Sequence, residues 1–70
     1  MTPDEVTESL RNGEPVVLLR GTGHSALWRF EGQDYHRLVV APGAWLPWDR
    51  YGPEAAQAQL EKDCRNETGG

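Results

Sequence analysis

The chain has 70 residues and a formal net charge of −4 at neutral pH, which allows one small domain and leaves no room for a second core. Its single cysteine excludes an internal disulfide, and no apolar run reaches the roughly 18 residues that a membrane helix needs. The N-terminal region has no basic stretch followed by an apolar run, so we expect a cytoplasmic protein rather than a secreted one.

The N-terminal segment has the pattern of a short helix. Thr2–Glu5 offers an N-cap hydroxyl, a proline at the first helical position and a glutamate that can complete a capping box. Val6 and Leu10 lie four residues apart on one face, and Asn12-Gly13 is typical of a helix end. These features predict a first helix of about ten residues.

Three strands are predicted next, separated by turns that contain glycine. Val16–Arg20 is a β-branched and aliphatic run that stops at Gly21–Gly23. His24–Phe30 and Tyr35–Val40 form two further strands around a tight turn over residues 31–34. The three strands predict an antiparallel meander.

The turn between the second and third strands also predicts their register. If Gly32 and Gln33 are its central residues, the cross-strand partners are Phe30 with Tyr35, Trp28 with Arg37, Ala26 with Val39 and Leu27 with Leu38. One face of the sheet then carries Ala26, Trp28, Phe30, Tyr35, Arg37 and Val39. The other face carries Ser25, Leu27, Arg29, His36, Leu38 and Val40. Because neither face is simply polar, we expect helices on one face and either a loop or a partner on the other.

Residues 41–53 form a loop too rich in proline and aromatic residues to be a solvated linker. Gly52 and Pro53 then introduce a last helix, whose apolar stripe consists of Ala56, Leu60 and Cys64 at i, i+4 spacing. We expect residues 66–70 to fray. The order helix, three strands, loop and helix predicts a single two-layer α+β domain over residues 1–70.

Charge is distributed unevenly along the chain. Residues 1–14 have a balance of −3 and residues 54–70 a balance of −2, whereas residues 15–53 have a balance of +1. Ordinary solvated helices with acids near their starts account for most of this pattern. It also fits a dipolar domain that presents arginines and aromatic rings to a partner while its acidic helices disfavour nucleic acid.

Histidine and cysteine side chains offer little catalytic or metal chemistry. His24 heads a strand and could act as a general base, but nothing in the sequence indicates an acid or base partner for it. His24, His36, Asp49 and Cys64 lack the spacing of a zinc site, and Cys64 on its apolar stripe is typical of a buried thiol. We therefore predict no metal, no cofactor and no enzymatic activity.

Tryptophan and arginine are the most informative residues. Three indoles in so short a chain favour core packing for one or two of them, and indole with guanidinium is also the composition of protein-binding hot spots. We therefore predict a partner-binding set centred on the aromatic loop. Its members are Trp45, Trp48, Tyr51, Arg50, Trp28 and Arg37.

Two known families share features with the chain. The order helix, strand, Gly21–Ser25, two strands and helix resembles the HicA-type mRNA interferase toxins, which implies a double-stranded-RNA-binding-like fold with His24 as catalytic base. The chain departs from those toxins in its acidic charge and single lysine. His24–Trp28 and Pro42–Trp45 are similar to MbtH-like proteins, which clamp an adenylation domain between two tryptophans, although each motif here has an additional residue and the C-terminal signature is missing.

The function that this pattern favours is a small non-enzymatic protein-binding regulator, an inhibitor or adaptor that docks on a larger protein, of a size that would suit a phage or mobile element. A homodimer would also cover the second sheet face. The alternatives are a HicA-like toxin that uses His24, an MbtH-like tryptophan clamp, and a nucleic-acid binder. In the last case bases would stack on Trp28, Phe30 and Tyr35 beside Arg37.

Overall fold

The computed structural model describes residues 1–19, 24–41, 43–45 and 47–66, and at residues 19, 44 and 45 it describes the backbone alone. The elements in this part of the chain are α1 (Pro3–Arg11), β1 (Val16–Leu19), β2 (Ser25–Glu31), β3 (Asp34–Ala41), β4 (Ala44–Trp45), β5 (Asp49–Tyr51) and α2 (Pro53–Arg65). The strand pairs among these elements are antiparallel. The predicted α+β class is confirmed.

Helix α1 begins and ends where the sequence predicted. The Glu5 backbone N–H donates to the Thr2 hydroxyl at 3.2 Å, and the Thr2 backbone N–H donates to the Glu5 carboxylate at 3.1 Å, which completes a capping box. The bonds that the Thr2 backbone N–H and hydroxyl donate to the Glu5 carboxylate lower the pKa of Glu5. At the other end, Gly13 takes a φ of +88°, in the left-handed region that glycine tolerates.

The central meander has the predicted register. β1 pairs with β2, and β2 pairs with β3 so that Phe30 lies opposite Tyr35 and Trp28 opposite Arg37. The turn between β2 and β3 has Gly32 and Gln33 at its centre, both with positive φ. Positive φ at both central residues matches the turn to the right-handed twist of the two strands, and this fixes the pairing.

The prediction that residues 41–53 form a loop is wrong, because the segment contains two short strands. β4 and β5 pair one after the other with the same edge of β3, where Trp45 lies opposite Val40 and Asp49 opposite Arg37. Between the Trp45–Val40 pair and the Asp49–Arg37 pair, the edge segment has three residues whereas β3 has two. The additional residue makes the edge strand discontinuous, and it coincides with Pro47, which has no N–H to give to a sheet.

Helix α2 completes the two-layer domain. It begins at Pro53 after the N-cap Gly52, and Ala56 and Leu60 are buried as predicted. Cys64 is only partly buried, and Asp63 takes the third fully buried position. The core lies between the helices and one sheet face, and its buried members are Val6, Leu10, Val16, Leu18, Ala26, Trp28, Tyr35, Ala56 and Leu60. The predicted glycine turn at 21–23 and most of the predicted frayed tail lie outside the described residues.

Candidate functional site

The two faces of the sheet differ in what covers them. Alternation along the strands places Trp28, Ala26 and Tyr35 on the inner face, beneath α1 and α2. We call the opposite side the outer face. Its described strand members are Val17, Ser25, Leu27, Arg29, Glu31, Asp34, His36, Leu38, Val40 and Arg50. Leu38 is buried there, whereas Val17 is 53% exposed.

Trp48 lies against the outer face. The guanidinium carbon of Arg29 is 4.6 Å from the centroid of the Trp48 ring, a cation–π distance, and 40% of the Trp48 surface stays exposed. The discontinuity in the edge strand explains this position. With the spacing of β4 continued, Trp48 would lie opposite Arg37 on the inner face, but the additional residue puts Asp49 there instead.

Two ion pairs lie at one end of the outer face, and one of them includes the arginine that contacts the Trp48 ring. Arg29 pairs with Glu31 at 3.2 Å, and Arg50 approaches Asp34 at 4.0 Å. The Arg50 side chain is 74% exposed, so its pair contributes little to stability and leaves the guanidinium accessible. Two arginines and two carboxylates give this end of the face a formal charge of zero. The described side chains at the other end carry no charge, and they are Val17, Ser25, Leu27 and Val40.

A buried polar network lies on the inner side, between β2, β3 and α2. Asp63 is fully buried and accepts from the Arg37 guanidinium through Nε at 2.7 Å and Nη2 at 2.8 Å. It also accepts from the Trp28 indole N–H at 2.8 Å and from the Gln59 amide at 3.0 Å. The carboxylate thereby satisfies two sheet side chains at once and fixes α2 over the meander.

The network also sets the ionisation of its charged pair. Desolvation by burial would raise the pKa of Asp63, but hydrogen bonds from Arg37, Gln59 and Trp28 together with the Arg37 charge lower it. Desolvation likewise opposes the charged form of Arg37, and the hydrogen bonds and charge of Asp63 raise its pKa in spite of it. Both groups are therefore charged at neutral pH.

The predicted partner-binding residues divide between the two faces. Trp48 and Arg50 lie on the outer side with exposed side chains. Trp28 is fully buried, and Tyr51 packs on it with ring centroids 5.6 Å apart. Arg37 is 7% exposed and paired with Asp63. Trp28 and Arg37 are therefore corrected from contact residues to core residues.

For Trp45 the structure describes the backbone alone, which pairs with Val40. The stacking platform suggested for nucleic acid is also corrected. Trp28 and Tyr35 lie beneath the helices, and Phe30 packs against the same core with its ring 4.8 Å from that of Tyr35. Trp28 and Tyr35 therefore offer no free face to a base, and Phe30 is partly buried.

Of the two histidines and the cysteine, His36 alone lies within this site, opposite Arg29 on β2 and Arg50 on β5. His24 is partly buried just before β2, and Cys64 lies in an open groove between the start of α1 and the end of α2. Among the described residues, no three His, Cys, Asp or Glu side chains come together as a metal site would require. No described helix has the length and apolar character to cross a membrane.

Asp63 was not predicted as a buried residue, although its position in α2 indicates burial. Ala56, Leu60 and Asp63 follow the i, i+4, i+7 spacing of a buried helix face, so an acid at the third position faces the sheet. Arg37 was predicted on the same sheet face as Trp28. A buried arginine and a core-facing acid together indicate an internal ion pair.

Comparison with protein-family models, with curated proteins and with solved structures finds no match to this chain. What the site can do therefore follows from its own geometry and chemistry.

Proposed function

We propose that the chain is a small non-enzymatic protein-binding regulator, an inhibitor or adaptor that docks on a larger protein through its outer face. The observation that carries this proposal is the Trp48 ring, which is 40% exposed and held under the Arg29 guanidinium on the face opposite the helices. A large ring that is already ordered loses little conformational entropy when a partner covers it. Tryptophan and arginine are also the residues that most often dominate binding energy.

The composition of the outer face supports a protein partner. An apolar area around Val17 lies on the same face as the charged groups Arg29, Glu31, Asp34 and Arg50. Protein interfaces combine apolar and polar surface in this way. Nucleic acid would require unbalanced positive charge to release counterions, and here each of the two arginines lies beside a carboxylate.

The enzymatic and clamp alternatives have less support. A HicA-like activity needs a basic surface to hold RNA, whereas this chain has a net charge of −4 and a single lysine. An MbtH-like clamp needs two accessible indoles, and Trp28 is inside the core. Trp48 alone retains the exposure that such a clamp uses among the described tryptophan side chains.

The test compares partner capture by three variants of the tagged chain. The substitution Trp48→Ala should reduce affinity for the captured protein by about 30-fold or more, as expected for a hot-spot ring. Trp48→Phe should keep part of the binding because it keeps an aromatic face for Arg29. Glu8→Gln, on the exposed side of α1, is the matched control and should bind as the original chain does.

Circular dichroism and thermal unfolding of the same samples separate lost binding from lost structure. Because Trp48 is outside the core, the alanine variant should remain folded. Equal capture by the original chain and by folded Trp48→Ala would contradict the proposal.

A further inference from the structure

We propose that a second copy of this chain covers the outer face when the larger partner is absent, so that self-association and partner binding compete for one surface. The competition rests on the proposed function, but the self-association does not. It follows from how apolar area and charge are divided between the two sides of the domain.

The outer face exposes apolar area in the isolated chain. Val17 is 53% exposed and Trp48 40%, and the side chains of Leu27 and Val40 are only partly buried. Val17, Leu27 and Val40 lie on neighbouring strands, since Val17 pairs with Leu27 and β2 pairs with β3. Removing such an area from water favours association, and a second copy is always present at the concentration of the first.

Charge balance decides which side of the domain can meet its own copy. In a two-fold contact the same surface meets itself, so any net charge on that surface is repeated across the interface and repels. The described residues of the outer face include Arg29, Arg50, Glu31 and Asp34, whose formal charges sum to zero. The whole chain carries −4, so these four residues contribute nothing to that excess.

The helix layer is unsuited to the same contact. The exposed surface of α1 carries Asp4, Glu5 and Glu8 against the single cation Arg11. Helix α2 exposes Glu54 and Glu61 against Lys62 and Arg65, which balance, so the two helices together keep an excess of two negative charges. Two copies of this layer would repel each other, whereas the outer faces would not. Electrostatics therefore selects a pair with the sheets inside and the helices outside.

The geometry of such a pair follows from ordinary sheet packing. Two outer faces would stack about 10 Å apart with their strands about 30° from parallel. The exposed Arg50 of one copy could then approach the Asp34 of the other, because that ion pair is 4.0 Å long within its own chain and both side chains are accessible. Covering Val17 and Trp48 would supply the apolar burial.

The experiment is sedimentation of the purified chain over roughly a hundredfold range of concentration. The mean mass should rise with concentration from 7.8 kDa toward twice that value. Arg50→Glu, at a side chain that is 74% exposed, makes the face acidic and should keep the chain monomeric over the same range. Combining it with Asp34→Arg restores neutrality and should restore the rise in mass.

Val17→Lys supplies an independent variant, because it puts a charge into the apolar area and should also give monomers. Glu8→Gln changes the net charge by the same amount on the helix layer and should leave self-association intact. An original chain that stays monomeric throughout would overturn the proposal. So would self-association that persists in folded Val17→Lys and Arg50→Glu.

The two proposals fail in distinguishable ways. A chain that stays monomeric but loses its captured protein in Trp48→Ala keeps the proposed function and refutes the self-association. A chain that self-associates through the outer face, yet captures the same protein with or without the Trp48 ring, keeps the self-association and refutes the proposed function. If both hold, added captured protein should convert the sedimenting dimer into a heterocomplex with one copy of this chain.

Discussion

Replacing Asp63 by alanine should be among the most damaging single changes in this domain. The substitution removes the carboxylate that accepts two hydrogen bonds from Arg37, one from Trp28 and one from Gln59. Arg37 is 7% exposed, so its charge would remain in the interior without a counter-charge and with little water. An unpaired buried charge is costly because low-polarity surroundings replace its hydration.

The expected loss is comparable to the whole stability of the domain. Breaking a buried ion pair by removing one partner costs about 3–5 kcal/mol. A domain of 70 residues has a free energy of unfolding of about 3.5–10 kcal/mol, taking the usual contribution per residue. Asp63→Ala should therefore leave the chain unfolded, or folded with a much lower midpoint in urea.

The assay is urea unfolding followed by far-ultraviolet circular dichroism and tryptophan fluorescence. Glu61→Ala is the matched control, because it removes an exposed acid from the same helix and should change stability by less than about 0.5 kcal/mol. The double variant Arg37→Met with Asp63→Leu removes both charges. It should recover all but about 1–3 kcal/mol, which is the cost of leaving the Trp28 N–H without its acceptor.

A loss below about 1 kcal/mol in Asp63→Ala would refute this reasoning about the buried pair. A double variant no more stable than Asp63→Ala would refute it as well.

The pH dependence of the free energy of unfolding gives a second test of the buried pair. Because folding lowers the pKa of Asp63, the stability from its ionised form is fully present above about pH 4 and is lost as pH falls through the folded pKa. The stability gap between the original chain and Asp63→Ala should therefore narrow only in acid.

Two further predictions concern the turn and the tryptophans. Gln33→Gly should stabilise the domain by about 1 kcal/mol, because Gln33 has a φ of +128° that glycine adopts without strain. Gly32→Ala should destabilise it by about 1–2 kcal/mol, because Gly32 has a φ of +66° that alanine adopts only with strain. The new methyl group itself would meet no atom within 4 Å. Urea midpoints check both signs, and a stabilised Gly32→Ala would contradict the turn geometry. Trp28→Ala should cost about 3–5 kcal/mol and Trp48→Ala about 1 kcal/mol or less, since one ring is core and the other is partly exposed. Equal losses in thermal unfolding would place Trp48 in the core.

The parts of the fold that could be predicted from the sequence depend on local chemistry. The start of α1 follows from Thr2 and Glu5, whose hydrogen bonds span three residues. The register of β2 and β3 follows from a two-residue turn, because Gly32 and Gln33 leave one pairing that puts Trp28 opposite Arg37. In each case the determining interaction lies within a few residues of the element it fixes.

The parts that were missed depend on contacts between distant segments. β4 and β5 contain two and three residues, and β3 supplies the hydrogen-bonding edge that makes them strands. Pro47 and the surrounding rings favour a loop when considered alone. Asp63 lies 26 residues from Arg37 along the chain, so its burial requires knowing that α2 crosses β3. Periodicity could have suggested the burial, but not the partner.

The additional residue in the edge strand connects the fold to the proposed site. Without it, Trp48 would lie opposite Arg37, on the side where Trp28 and Tyr51 already fill the core. A domain this small leaves much of its surface exposed, so packing alone would favour keeping every available ring inside. Here the chain instead combines Pro47 with an interrupted strand, and an indole ends on the outer face beside Arg29. Discontinuities of this kind commonly redirect a side chain at a functional surface, which is why Trp48 rather than the buried rings is the residue to test first.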